Sequence, residues 1–166
     1  MCLRLLTLAP RTRAQLADAL RKRGIPDETA ERVLSRFEDV GLIDDAAFAR
    51  AWVESRHYSR GLAGRALSAE LKQRGVAADE IRAAIDERLG PDAEADAARR
   101  LIDRKLQSTR GLPPEQRTRR LAGLLARKGY PAGLAFRVIR EALESEGEVA
   151  FPGDGPSFDE DESYTE

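Results

Sequence analysis

Cysteine and histidine are all but missing: the 166-residue chain has one of each, Cys2 and His57. A lone cysteine can form no intramolecular disulfide and no cysteine-based zinc site, which excludes a secreted disulfide scaffold and a zinc finger. One histidine likewise excludes a multi-histidine metal centre. There is no run of about 18 apolar residues for a membrane span. The opening Met1-Cys2-Leu3-Arg4 lacks the apolar core of a signal peptide, so the expectation is a cytoplasmic protein without a membrane partner. Alternating apolar and polar runs long enough for strands are also lacking; apolar residues recur at three- and four-residue spacing, which predicts an all-α chain.

Charge is balanced in total and unevenly placed. Against 28 basic residues stand 29 acidic ones, and eight of the acids lie between Glu146 and Glu166, where there is no base. Residues 1–145 are left with 28 basic and 21 acidic groups, a net charge of +7. A basic body and an acidic tail keep a polyanionic partner in view. Pro152, Gly153, Gly155 and Pro156 among these acids predict a disordered tail over residues 146–166.

Superposing Gly24, Gly75 and Gly129 reveals an internal repeat. Eight and four residues before them stand Leu16 and Leu20, Leu67 and Leu71, Leu121 and Leu125. The residue before each glycine is basic (Arg23, Arg74, Lys128), and the residue after it is apolar (Ile25, Val76, Tyr130). Further on, Ala30, Val33 and Leu34 correspond to Ile81, Ala84 and Ile85 and to Ala135, Val138 and Ile139. An upstream amphipathic stretch precedes each copy: Leu3 and Leu6, Phe48 and Trp52, and Ala98 with Leu101 and Ile102. These define three tandem three-helix modules, helix-turn-helix-like, over residues 1–43, 44–90 and 91–145. Modules this small bury little apolar surface alone, so end-to-end packing into an elongated, curved array is expected.

The basic-glycine-apolar triplet reads first as a helix C-cap, with glycine in the left-handed position and a cation complementing the helix dipole. Arg23, Arg74 and Lys128 could equally touch a partner. A helix-turn-helix could also read DNA directly, but the helices that would enter a groove begin with Asp27-Glu28 and Asp79-Glu80, which repel phosphate. Only the third, from Pro131-Ala132-Gly133, lacks that acidity. Asp44-Asp45 reads as an N-cap and first-turn acid rather than a catalytic pair. Trp52 reads as core, and His57, with no nucleophile or orienting acid near it, as exposed or touching a partner. No catalytic, metal or cofactor set emerges.

The remaining signal is basic surface. Arg56, Arg60, Arg65, Lys72 and Arg74 accompany Tyr58, Gly61 and Gly64 in module two, where Arg65 and Lys72 share a helix face opposite Leu67 and Leu71. In module three, Arg117, Arg119, Arg120, Arg127 and Lys128 crowd the equivalent helix. A solvated face would account for either run; its repetition in successive modules favours something long and negatively charged.

The segment Gly41 to Arg56, GLIDDAAFARAWVESR, with Arg60-Gly61 and Ala66 to Val76, ALSAELKQRGV, resembles the signature of the RecX family of bacterial recombination regulators. RTRAQLADALRKRGI, from Arg11 to Ile25, is similar to that family's first repeat, and the resemblance spans roughly residues 3–144. It implies a non-enzymatic, monomeric modulator that sits in the groove of the RecA filament on single-stranded DNA. There it would restrain ATPase, strand exchange and filament extension. The partner or DNA-binding residues would be Arg56, Arg60, Arg65, Lys72, Arg74, Arg119, Arg120, Arg127 and Lys128. The alternative is a helical protein acting on nucleic acid without RecA. The acidic extension departs from the family pattern.

Overall fold

In a computed structural model, which describes residues 1–147, the repeated glycines have φ of 74°, 77° and 87° and each closes a helix in the same way. The glycine amide donates three residues back, and the next amide donates five residues back: Ile25 to Leu20, Val76 to Leu71, Tyr130 to Leu125. This pairing is the Schellman arrangement, which brings the residue after the glycine against the leucine four before it. The recurring Leu-xxx-Gly-apolar pattern is therefore a helix terminus with its own hydrophobic contact.

Nine α-helices form among the described residues. Repeat 1 comprises α1 (Cys2–Leu8), α2 (Arg13–Arg21) and α3 (Asp27–Asp39); repeat 2 comprises α4 (Asp45–Arg60), α5 (Gly64–Gln73) and α6 (Ala78–Arg88). Repeat 3 comprises α7 (Pro91–Leu106), a 3₁₀ turn (Gln107–Thr109), α8 (Pro114–Arg127) and α9 (Ala132–Ser145). No strand occurs among the described residues. None of their helices is long and apolar enough to cross a membrane. Local chemistry explains the starts. Thr12 forms a reciprocal capping box with Gln15, and Asp44 accepts the Ala47 amide at 2.8 Å, the N-cap expected of it.

Each repeat has its own core. Leu16, Leu20, Ala30 and Leu34 gather in repeat 1; Val53, Leu67, Leu71 and Ile81 in repeat 2; Ile102, Leu121, Leu125 and Ile139 in repeat 3. Burying each such leucine or isoleucine contributes roughly 1.5–3 kcal/mol. In repeats 2 and 3 the long first helix lies along the third, α4 on α6 and α7 on α9. Repeat 1 differs because α1 has only 7 residues and covers little of α3. As a result Val33, whose counterparts Ala84 and Val138 are buried, remains exposed, as does Leu3, and Cys2 is the buried residue of α1.

Two further expectations are corrected. Glu146 does not belong to an unpartnered tail: as the C-cap of α9 it accepts from Arg110 Nη2 at 2.7 Å and pairs with Arg117 Nη2. Arg117 is not surface charge. It is 1% exposed, and its Nε and Nη2 also donate to Thr109 Oγ1 (2.9 Å) and the Leu106 carbonyl (3.1 Å). The expected disorder from residue 148 onward lies outside the described residues.

Candidate partner-binding surface

Successive repeats join through the start of the second helix. The amide of Arg13, first residue of α2, donates to Asp45 Oδ1 of repeat 2 at 2.9 Å; that of Gly64, first residue of α5, donates to Glu94 Oε1 of repeat 3 at 2.7 Å. The unsatisfied N-terminal amides of one repeat are thus capped by a carboxylate from the next. Beside them, Thr12 Oγ1 donates to the Arg74 carbonyl (2.6 Å) and the Ala63 amide to the Lys128 carbonyl (2.9 Å). Gly75 and Gly129 complete the joints. A Cβ on Gly75 would lie 2.3 Å from Ala14 Cβ, and one on Gly129 would lie 2.6 Å from the Ala66 nitrogen. At Gly24 a Cβ would meet nothing within 4 Å.

Each joint leaves a groove, and the two grooves are nearly equal in volume, about 660 Å³ between repeats 1 and 2 and about 640 Å³ between repeats 2 and 3. Their linings are opposite in charge. The first holds Glu38, Asp44, Asp45, Asp79 and Glu80 with a single cation, Arg13. That cation is engaged: it bonds Glu31 at 2.9 Å and Glu38 at 3.1 Å, and these contacts, Glu31 first, push its pKa further up. Burial, foremost, and neighbouring acids raise the carboxyl pKa values of Asp45 and Glu80. The second groove is lined by Arg65 and Arg127 with no carboxylate, over Ala66, Ala122, Tyr130 and Phe136. Phe136 is 50% exposed. Tyr130 is buried, donates to the Gly61 carbonyl at 2.9 Å, and has its phenol pKa pushed up to about 12, chiefly by burial.

The basic residues singled out in the sequence therefore divide into groups. Arg65, Lys72, Arg119, Arg120 and Arg127 are exposed. Arg65 and Arg127 both line the second groove; Arg120 and Arg127 line an adjoining cleft with Lys105, Ser108, Thr109 and Leu124. Arg56, Arg60 and Arg74 instead surround Trp52. The guanidinium carbons of Arg56 and Arg74 lie 4.3 and 3.7 Å from the indole centroid, and Phe48 stacks at 5.7 Å. Glu70 binds the indole N–H at 2.8 Å and approaches Arg60 at 3.6 Å. Trp52, expected as core, is the half-buried centre of this edge cluster. Lys128 is half-buried and donates to the Arg60 carbonyl at 2.7 Å, which gives it a structural task at the second joint. His57 likewise has a structural partner, its Nδ1 lying 2.9 Å from the Leu62 carbonyl.

Lys105 and Phe136 escaped the sequence reading. Phe136 had a signal: seven residues past the repeated glycine, repeats 1 and 2 carry Glu31 and Arg82, and repeat 3 carries a large aromatic. Lys105 had none, because only the fold brings α7 beside α8.

The architecture and its surface define a class, a tandem three-helix-repeat protein whose charge is segregated groove by groove and whose basic faces suit an extended anionic partner. The chain belongs to the RecX family of regulatory proteins. The models for the first, second and third RecX three-helix domains match residues 1–37, 44–85 and 92–139. A regulatory protein RecX of Thermobifida fusca is 64% identical over 92% of this chain and 82% of its own length; one of Streptomyces lividans is 64% identical over 89% and 78%. The crystal structure of RecX from Lactobacillus salivarius shares the fold, with a TM-score of 0.78 at 17% identity, covering 84% of this chain and 90% of that one.

Proposed function

We propose that this protein regulates RecA by binding the filament that RecA forms on single-stranded DNA, with the groove between repeats 2 and 3 and the adjoining cleft as its contact surface, and that binding restrains ATPase, strand exchange and filament extension. Membership of the RecX family supports RecA as the partner. The observation that carries the surface is the opposition between grooves. The same joint that gathers five carboxylates between repeats 1 and 2 presents Arg65 and Arg127 without a carboxylate between repeats 2 and 3. A filament of nucleic acid and protein offers phosphate and acidic side chains that such a surface attracts.

The test is RecA ATPase and strand exchange on single-stranded DNA with substoichiometric additions of the wild type and of Arg65→Glu with Arg127→Glu. Both side chains are exposed, so the variant should fold. Inhibition by the wild type and its loss in the variant support the proposal; equal inhibition by both removes the surface, and no effect of the wild type at any ratio removes the RecA reading. Arg60 is a poorer target because Glu70 engages it.

A second reading, direct action on nucleic acid, is favoured by one feature: the half-exposed Phe136 shares a groove with Arg65 and Arg127, a combination of aromatic and cations suited to an unpaired base and its phosphates. Phosphate contacts would make affinity fall steeply with salt, whereas contacts to acidic RecA side chains would persist without DNA.

A further inference from the structure

A glycine stands inside α8, where a helix has no use for one. Gly123 lies four residues before the end of that helix, and its φ is not positive, unlike that of the glycines that close the helices. In a helix interior glycine is a poorer former than every residue except proline. Packing does not ask for it either: a Cβ there would meet Arg127 Nη1 at 3.3 Å, the far end of a flexible side chain, and nothing else within 4 Å. Counted from the repeated glycine, the same position holds Asp18 in α2 and Ala69 in α5, so the repeat accepts a side chain there.

The place of Gly123 shows what its missing side chain leaves open. Arg120, Gly123 and Arg127, at i, i+3 and i+7, form one ridge of α8. On one flank of the ridge is the groove with Arg65 and the half-exposed Phe136; on the other is the cleft with Lys105 and Leu124. The ridge dips at Gly123, and the Arg127 guanidinium lies over the dip and lines both hollows. The side chains of Arg65, Lys105, Arg120 and Arg127 make no hydrogen bond or ion pair with another described residue. Cations without counter-charge thus follow a path from one hollow over a saddle into the other.

We infer that a single strand of nucleic acid crosses α8 at Gly123. Its backbone lies in the saddle against the Arg127 guanidinium, neighbouring phosphates reach Arg120 and Lys105 on one side and Arg65 on the other, and a base stacks on Phe136. A glycine in this position lets a chain as bulky as a sugar-phosphate approach the helix backbone closely. Cations strung along a path suit a ligand with one charge per unit, and an open aromatic face beside them suits any unpaired base. A duplex keeps its bases stacked inside and gains nothing from Phe136, and an acidic polypeptide has no base to place there. The inference rests on the contact surface proposed above and assigns the middle of that surface to the strand, not to RecA.

The test uses the full chain without RecA and follows the anisotropy of a labelled thymidine oligonucleotide of about 12 nucleotides at about 50 mM salt. Gly123→Gln places a good helix former in the saddle, so the melting temperature should rise while affinity falls about tenfold. A lower melting temperature would give the glycine a structural task and overturn the crossing, as would unchanged affinity. Phe136→Ala should also weaken binding about tenfold, yet leave binding of an abasic strand of equal length untouched, whereas Gly123→Gln should weaken both. Equal loss on the abasic strand in Phe136→Ala overturns the stacking. A polyglutamate of equal charge should bind without dependence on position 123; if Gly123→Gln weakens it as much as the oligonucleotide, the surface takes an acidic chain and the crossing falls. RecA ATPase separates this inference from the reading it rests on. Oligonucleotide binding with these losses but no wild-type inhibition of RecA upholds the crossing and removes the RecA reading, while inhibition by a wild type that binds no oligonucleotide overturns the crossing and leaves that reading standing.

Discussion

Between repeats 1 and 2, the Asp45 carboxylate and the Arg74 carbonyl grip the start of α2; between repeats 2 and 3, Glu94 and the Lys128 carbonyl grip the start of α5. Onto this shared plan the second joint adds the Tyr130 hydroxyl on Gly61, the Lys128 ammonium on Arg60, and Ala63 of repeat 2 buried in the core of repeat 3. The first joint has Val76 where the second has Tyr130, and its groove carries crowded carboxylates. Repeats 2 and 3 are thus welded into a basic unit, and repeat 1 is attached more lightly through an acidic one. The comparison teaches that backbone geometry is repeated while side chains assign each joint its strength and sign.

The largest effects should come from the glycines that let repeats touch. Gly24→Ala introduces only the left-handed strain, about 1–2 kcal/mol. Gly75→Ala and Gly129→Ala add a clash with Ala14 or with the Ala66 backbone, so each should cost about 3 kcal/mol or more. Urea midpoints of the three variants check this. Equal losses at all three would mean that the joints yield and that the repeat is a matter of turn geometry alone.

Next in size is the reversal of groove charge. Arg65→Glu with Arg127→Glu should weaken partner binding by about 30-fold, roughly 2 kcal/mol. Asp79→Lys with Glu80→Lys in the acidic groove should leave binding unchanged or tighten it. Titration of both variants against RecA on single-stranded DNA sharpens the contrast, and it fails if the two lose affinity alike.

The repeat itself was legible from one chain because its signal is local: a Schellman terminus needs a leucine, a glycine and an apolar residue within six positions. Joints and clefts were not, because their partners are remote in sequence. Arg117 read as one more cation in a run, yet it is buried by Glu146, 29 positions on. Lys128 and Arg74 read as partner-binding charges because the carbonyl and indole that hold them belong to other helices. The sign of the first groove was implicit in Asp44-Asp45 and Asp79-Glu80, which the sequence shows as helix starts; only packing brings them into one lining.

Tyr130→Phe should be smaller, about 1 kcal/mol, since it removes one buried hydrogen bond and leaves the Gly61 carbonyl unpaired. It converts the second joint toward the first. Hydrogen exchange should accelerate at the end of α4 and the start of α5 without change in repeat 1. Uniform acceleration over all three repeats would show that the joint is not a separate unit of stability.

The smallest effect is in the pH dependence, and it takes opposite signs at the first joint and at the end of α9. The carboxyls of Asp45 and Glu80 have folded pKa values raised above 3.8 and 4.5, so the stability they contribute is complete below those values and is lost as pH rises through the folded ones. Glu146 is the reverse: hydrogen bonds from Arg110, then Arg117, hold its pKa below 4.5, so its contribution is present above 4.5 and is lost as pH falls through the lower folded value. Acidification from neutrality toward pH 4.5 should therefore raise the protection factors of α2 and α4 amides near the first joint, measured against the intrinsic exchange rate at each pH, while leaving those at the end of α9 unchanged. Asp45→Asn with Glu80→Gln should abolish the gain. The side-chain amide oxygen that the first substitution introduces can still accept the Arg13 amide, so stability at neutral pH should hold or rise. If the doubly neutralised protein keeps the full acid gain, the carboxylates crowding the first groove are not its source, and the light attachment of repeat 1 rests on its short first helix alone.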